Sequence, residues 1–360
     1  MKILILPRYS RRGASSRQRM FQYIPYLISA GFSSKIAPFL DDDYLGKLYA
    51  GSAARSNVVR AFAARISRLI RNETFDLLWI EKEALPWVPW TIEAGLLPGN
   101  IPIASDYDDA IFHQYDSHNN IVLRRVLGTK IDRLMKSSTL VLAGNTYLAE
   151  RALAAGSSRV EIVPTVVDAA TYSFQQRNIT DRGPRIGWVG MPSTWREFMR
   201  PAMPMITDVA SAHSARICAV GAGNQADAHP SLDNEAWSEE TEVGLIQGMD
   251  IGIMPLNDSP WARGKCGYKL IQYMACGLPV VASPVGVNSE IVEHGVNGFL
   301  ASSEAEWREA LNTLLGNREL RLRMGSAGRK KVEQEYSLQV YGPKVATLLE
   351  DAVRSNVPNN

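Results

Sequence analysis

Short apolar runs recur along the first half of the chain, at Ile3–Leu6, Leu77–Ile80, Ile101–Ala104 and Leu140–Ala143. Each is long enough for a buried strand. Between them lie stretches with helical spacing, such as Gln18–Ala30 and Val58–Arg71. Strand and helix in alternation predict a parallel α/β sheet. A polar stretch from Gln175 to Pro184 interrupts the pattern and reads as a linker. The alternation resumes at Arg185–Gly190 and continues through Ala215–Val220, Ile251–Pro255 and Pro279–Ala282 to a helical end near Leu338–Arg354. The pattern predicts two Rossmann-like, doubly wound α/β domains, over residues 1–174 and 183–336, and a final helix over 337–355. Ligands of open parallel sheets lie beyond the carboxyl ends of the strands. Two such domains facing each other would form a deep cleft.

A length of 360 residues suits two domains better than one. With 46% hydrophobic and 21% charged residues the composition is that of a globular protein, and a net charge of +2 gives no reason to expect a nucleic-acid partner. The charge is uneven, however. Residues 1–180 carry 22 Lys+Arg against 16 Asp+Glu, and residues 181–360 carry 17 against 21. A basic first half could meet an anionic membrane surface or a phosphorylated acceptor. The three cysteines form no CxxC, which argues against a disulfide framework or a zinc site and favours a reducing cytoplasm. No run reaches the roughly 18 apolar residues of a membrane span, and the apolar run at Met1–Pro7 is too short for a leader. The expectation is a cytoplasmic protein, soluble or peripheral at the membrane.

The candidate chemistry gathers at strand ends. In Gly264–Ser283 a glycine-rich stretch, a short helix, a glycine stop and a buried strand follow one another. At about 100° per residue, Lys265, Lys269 and Gln272 fall on one helix face, opposite Leu270, Ile271 and Met274. Such a face, with the helix N-terminus beside it, suits a diphosphate. A solvated lysine face is the plainer alternative. Gly267 would let backbone approach a phosphate, or is an ordinary turn. After the Arg185–Val189 strand, Gly190, Ser193 and Thr194 could cap a helix or bind phosphate, with Arg196 a cationic partner or a surface residue. Gly13, Ser16 and Arg17 open the first helix in a basic loop. Asp106, Asp108 and Asp109 follow a strand and could bind metal, act as base or cap a helix. Trp237 could stack on a base or simply pack. Asn145 and Thr165 stand at later strand ends as cleft-lining candidates. The Arg60, Arg65, Arg68 and Arg71 helix could dock on anionic lipid or pack with a solvated face.

The Gly264–Ser283 segment, with Ser283–Val292 and Gly295–Leu300 after it, resembles the donor-binding region of family 4 glycosyltransferases, which have the GT-B fold. Weaker likeness covers Gly13–Arg17, Asp106–Phe112 and Val163–Asp168. The resemblance implies two domains facing across a cleft and a last helix that crosses back to the first. It implies a nucleoside-diphosphate-sugar donor, a glycan or lipid-linked acceptor, transfer with retention, and neither metal nor cofactor. Cell-surface polysaccharide assembly is the context it suggests. On this likeness Gly13, Ser16 and Arg17 close over the donor, and Gly190, Ser193, Thr194 and Arg196 touch its diphosphate. Trp237 meets the base. Lys265, Gly267, Tyr268, Lys269 and Gln272 form the donor helix, and Asp106 or Asp109 positions the acceptor hydroxyl. The chain departs from the family where a Glu-x7-Glu pair is usual: Gly264 and Gln272 stand there. Gln272 can still reach a ribose hydroxyl, and Lys265 can take over charge stabilisation. The departure also leaves room for a non-catalytic nucleotide-sugar binder or scaffold, or a GT-B epimerase or hydrolase. A nicotinamide dehydrogenase fits least, because no glycine fingerprint follows Ile3–Leu6.

Overall fold

The computed structural model describes residues 1–49, 55–71, 73–174, 183–226 and 229–355; the expected linker lies, over 175–182, outside the described residues. The chain forms two compact units. Met1–Thr165, Gly264–Cys266 and the stretch from Tyr341 make the first, and Val166–Arg263 with Gly267–Val340 make the second. Val166–Phe174 thus packs with the second unit. Arg329 holds it there, donating to Ala169 O at 2.8 Å and to Tyr172 O, while Val167 N donates to Tyr336 O at 3.2 Å.

The first unit holds six parallel strands: β1 (Lys2–Leu6), β2 (Ser33–Ile36), β3 (Leu77–Glu81), β4 (Ile103–Tyr107), β5 (Leu140–Ala143) and β6 (Val160–Ile162). Their order is β2-β1-β3-β4-β5-β6, so the winding reverses between β1 and β3. Helices cover both faces, which is why all five residues of β3 and of β4 are buried. The expected Gln18–Ala30 helix is interrupted. Ala14–Arg19 ends, a single tight turn follows at Phe21–Tyr23, and a new helix runs Ile24–Ser29. Pro25 sits in the first turn of that new helix, where its missing N–H costs nothing.

The basic Arg55–Leu69 helix takes the packed alternative at two of its arginines. Arg65 turns inward and donates to Pro7 O, Ala37 O and Ala84 O at 3.0, 2.9 and 3.2 Å, tying together the chain after β1, β2 and β3. Burial lowers its pKa to about 9. Arg68 is buried over the Phe75 ring and paired with Glu73. Of Arg60, Arg65, Arg68 and Arg71, only Arg60 and Arg71 are exposed, and Arg71 lies beyond the end of the helix. Among the described residues, no helix is long and apolar enough to cross a membrane.

The second unit repeats the plan with β7 (Arg185–Val189), β8 (Arg216–Val220), β9 (Leu232–Glu235), β10 (Ile251–Met254), β11 (Val280–Ala282) and β12 (Gly298–Leu300). The order is β12-β11-β10-β7-β8-β9, all parallel, with the reversal between β7 and β10. Its core includes a tryptophan pair, Trp188 and Trp195, edge to face at 5.2 Å. A last helix spans Leu338–Arg354.

Candidate functional site

In the first unit the carboxyl ends of β1, β3 and β4 carry a buried network of charge. Glu81 ends β3 fully buried, and accepts from Arg8 N at 2.7 Å and from the Ser16 hydroxyl. Ser15 Oγ lies 2.7 Å from both Glu81 Oε1 and Asp108 Oδ2. The start of the Ala14–Arg19 helix is therefore occupied by a carboxylate of the protein itself. Ser16 and Arg17 are buried, and Gly13 is pressed against Tyr9, where a Cβ would lie 2.3 Å from Tyr9 Cβ. Ser16, expected to close over a donor with Gly13 and Arg17, is instead buried with its hydroxyl held by Glu81.

Asp106 also turns inward. It is 1% exposed and accepts from Arg19 Nε at 2.7 Å, while Arg19 Nη1 donates to Val163 O at 2.7 Å. Burial pushes Asp106 up to about 6, against the pull of Arg19. Thr165 is buried 3.4 Å from Arg19 Nη1. Asp106 and Thr165 thus form the wall behind the strand ends, so an acceptor role for Asp106 is corrected by its burial.

Asp109 is different. Its side chain is 33% exposed, and Lys82 Nζ bridges Asp109 Oδ2 at 3.2 Å and Asp108 Oδ1 at 2.9 Å. Lys82 itself is nearly buried and has a φ of +64°, which a residue with a side chain rarely adopts. Its N–H donates to Asp106 O at 2.9 Å, holding the turn. Burial would raise Asp108, but Lys82, Arg19 and Ser15 outweigh it and hold Asp108 below the usual carboxylate range. Burial, with help from the Asp108 charge, leaves Asp109 raised, although Lys82 and Lys265 pull it down. Asp109 and Lys265 are therefore within electrostatic reach. Asn145 Nδ2 donates to Lys265 O at 3.0 Å, and Cys266 Sγ donates to Asp108 O at 3.0 Å. Asn145 also caps the next helix through Leu148 N, so it acts through backbone rather than toward a ligand. At Gly264 a Cβ would meet Ala110 Cβ at 2.4 Å and Ala110 N at 2.8 Å. Ala110 thus fills the space a glutamate side chain would need.

In the second unit the carboxyl ends of β7 and β8 meet at Gly190 and Gly221; a Cβ on Gly221 would lie 2.3 Å from Gly190 O. Lys269 reaches this loop. A Cβ on Gly190 would lie 2.9 Å from Lys269 Nζ, and that ammonium stands 4.8 Å from the Trp188 ring centroid. Gly267 precedes the Tyr268–Ala275 helix with φ +63°, and a Cβ there would strike Ile291 at 2.3 Å. Glycine is required on both counts. Tyr268 and Lys269 are half-buried, whereas every residue from Leu270 to Ala275 is buried. Ser193 and Arg196 are exposed on the short helical turns after β7, and Thr194 Oγ1 accepts from Met191 N at 3.1 Å, closing that turn.

Gln272 is not on an open face. It is 2% exposed and donates to Tyr172 Oη at 2.8 Å; Tyr172 donates to Glu242, and Trp237 Nε1 donates to the same carboxylate at 2.9 Å. The Arg318–Glu335 helix packs through Gly328 against Met274, on the apolar side, while Gln272 is buried against Tyr172. A direct ribose contact by Gln272 is corrected accordingly; Gln272 supports Glu242, which fixes the half-buried Trp237 indole. The sequence reading missed Lys82, Glu81, Tyr172 and Glu242. The charged triplet Glu81-Lys82-Glu83 after an apolar strand was the available signal for the first two. Nothing local marked Tyr172 or Glu242. Among the described residues, no group of three His, Cys, Asp or Glu side chains is placed to hold a metal.

Residues 183–317 match the family model described as Glycosyl transferases group 1. Over that stretch the chain is similar to this glycosyltransferase family. The matched stretch includes the Gly190 loop and Lys269. A Corynebacterium glutamicum protein described as a GDP-mannose-dependent monoacylated alpha-(1-6)-phosphatidylinositol monomannoside mannosyltransferase is 23% identical over 314 residues, 81% of each chain. Among solved structures, Anabaena HepE in complex with UDP-glucose has a TM-score of 0.71 at 17% identity, covering 98% of this chain and 100% of that one. Sucrose-phosphate synthase from Thermosynechococcus elongatus has a TM-score of 0.70 at 13% identity, over 99% and 100%. These structural likenesses establish the GT-B fold, and the family match supports glycosyl transfer.

Proposed function

We propose that the protein transfers a sugar from a nucleoside-diphosphate-sugar to a hydroxyl of a glycan or lipid-linked acceptor in cell-surface polysaccharide assembly. Configuration is retained, and neither metal nor cofactor takes part. The observation that carries this reading is the Lys269 ammonium beside the Gly190 loop at the end of β7. A cation over closely approaching backbone suits a diphosphate. Ser193, Thr194 and Arg196 continue that loop, Tyr268 flanks it, and Trp237 meets the base. Lys265 stabilises the departing diphosphate, and Asp109 orients the acceptor hydroxyl. Relatives named for UDP with glucose and for GDP-mannose fit a nucleotide-sugar donor. The lipid in the mannosyltransferase name fits a lipid-linked acceptor at an anionic membrane face.

The test is a thermal-shift titration of the protein with UDP, GDP, dTDP, ADP and CMP, beside Lys269→Ala. One diphosphate should stabilise the protein, by about 2.7 kcal/mol at 100 times its dissociation constant. Lys269→Ala should weaken that ligand about 10–100-fold, the worth of one charge-assisted hydrogen bond. No shift with any of the five would overturn the donor site. A second reading, a nucleotide-sugar binder that does not transfer, is favoured by Gly264, because Ala110 occupies the space of the family's first glutamate. Acceptor-dependent release of the diphosphate would exclude it.

A further inference from the structure

The helix Ile121–Leu127 turns apolar side chains to solvent. Leu127 is buried and Leu123 packs on the core beneath, yet Ile121, Val122 and Val126 are 62%, 63% and 52% exposed. Arg124 and Arg125 are exposed between them. At about 100° per residue the outward arc reads Arg124, Ile121, Arg125, Val122, Val126. Cation and aliphatic are interleaved, and Ser117–Ile131 contains no acidic residue. Trp87 extends the patch. It is 42% exposed with φ +60°, and its backbone N–H donates to Tyr115 Oη at 3.1 Å. Its ring stands 5.8 Å from that of His118, whose backbone oxygen accepts from Arg124 Nη1 at 3.3 Å. An exposed tryptophan held in a conformation that non-glycine residues rarely adopt points to use rather than to accident.

We infer that this face, Trp87 with Ile121, Val122, Arg124, Arg125 and Val126, docks on an anionic lipid bilayer. Aliphatic side chains enter the headgroup boundary, arginines reach lipid phosphates, and tryptophan sits at the level where its amphipathic ring is favoured. Charge complementarity selects lipid over a protein groove: an apolar groove would strip water from two arginines that have no acidic neighbour on this helix. The inference deepens the membrane contact proposed above and rests on that part alone. Vesicle binding needs neither donor nor acceptor, so its failure leaves sugar transfer untouched.

The experiment is flotation of the full chain with phosphatidylcholine–phosphatidylglycerol vesicles, two to one, and with phosphatidylcholine alone, at about 0.1 M salt. The wild type should float with the anionic vesicles and much less with the neutral ones. Arg124→Ala with Arg125→Ala should weaken binding about fivefold per arginine. Ile121→Asp with Val126→Asp should abolish it, and Arg60→Ala should leave it unchanged. Equal flotation of wild type and patch variants overturns the inference, and so does a wild type that stays in solution. Concentration-dependent self-association lost in the Ile121→Asp variant, without flotation, would make the face a protein interface and overturn it too.

Discussion

At the scale of single residues, burial separates three aspartates that look alike in sequence. Asp106 is spent on Arg19, Asp108 is held ionised by Lys82, Arg19 and Ser15, and Asp109 keeps a partly open side chain. Lys82 is the residue that makes Asp109 usable. It supplies the cation without which the neighbouring Asp108 and Asp109 carboxylates would repel. Lys82→Met removes that charge, so the Asp109 pKa, already raised, should rise further. A carboxylate that must be ionised to accept the hydrogen bond of the acceptor hydroxyl then works only at higher pH. The acidic limb of kcat/KM should move up by about one pH unit, and Lys82→Arg should move it back. The pH–rate profile of donor consumption checks this; coincident profiles for wild type and Lys82→Met would rule out the role. Removing one partner of a buried pair also costs roughly 3–5 kcal/mol of stability, which is why the shape of the profile is the readout rather than its height.

At the scale of elements, the strands were legible and the polar faces were not. Short apolar runs such as Leu77–Ile80 and Leu140–Ala143, alternating with helical stretches, suit interior strands of a covered sheet, and β3 and β5 lie there. The Gly190 loop and Lys269 were legible for the same reason, since a strand end followed by glycine, and a lysine in a glycine-bounded helix, are local signals. Helix faces were misread because periodicity says which residues share a side, not what covers that side. Gln272 is drawn inward by Tyr172, and Arg65 by three backbone carbonyls. Neither partner is near in sequence. The same long-range pairing joins the strands β7, β8 and β9. Asp233 on β9 accepts from Arg216 on β8 and from Arg185 Nη2 on β7, the latter at 2.7 Å. Arg216 and then Arg185 hold its pKa at about 2. A depressed carboxylate stabilises the fold above its unfolded value near pH 3.9, and that contribution is lost as pH falls through about 2. Asp233→Asn should therefore cost about 1 kcal/mol at neutral pH, and the deficit should vanish towards pH 2. Urea unfolding at several pH values tests this. A deficit that is constant with pH would mean that the pair contributes packing alone.

At the scale of the whole molecule, the chain order does not match the units. The Leu338–Arg354 helix begins with residues of the second unit and continues, from Tyr341, with residues of the first. Its contacts explain the assignment. Gly342 lies against Tyr26, where a Cβ would meet the ring at 2.5 Å, and Arg159 pairs with Asp351 at 3.4 Å. Val345, Leu348 and Leu349 are buried. Each such side chain contributes roughly 1.5–3 kcal/mol on burial, and a domain is stable by only about 5–15 kcal/mol. A chain ending at Val340 should thus lose most of the first unit's margin while the second unit keeps its own residues. Hydrogen exchange locates the damage. Amides of β1–β6 should exchange faster by orders of magnitude, and those of β7–β12 should stay near their original protection. A diphosphate found to stabilise the intact protein should still protect the Gly190 loop in the shortened one, because Lys269, Trp188 and Gly267 all belong to the second unit. Loss of protection spread evenly over both sheets would show instead that the two units unfold as a single cooperative body. In that event the terminal helix would be part of the stability of the donor side as well.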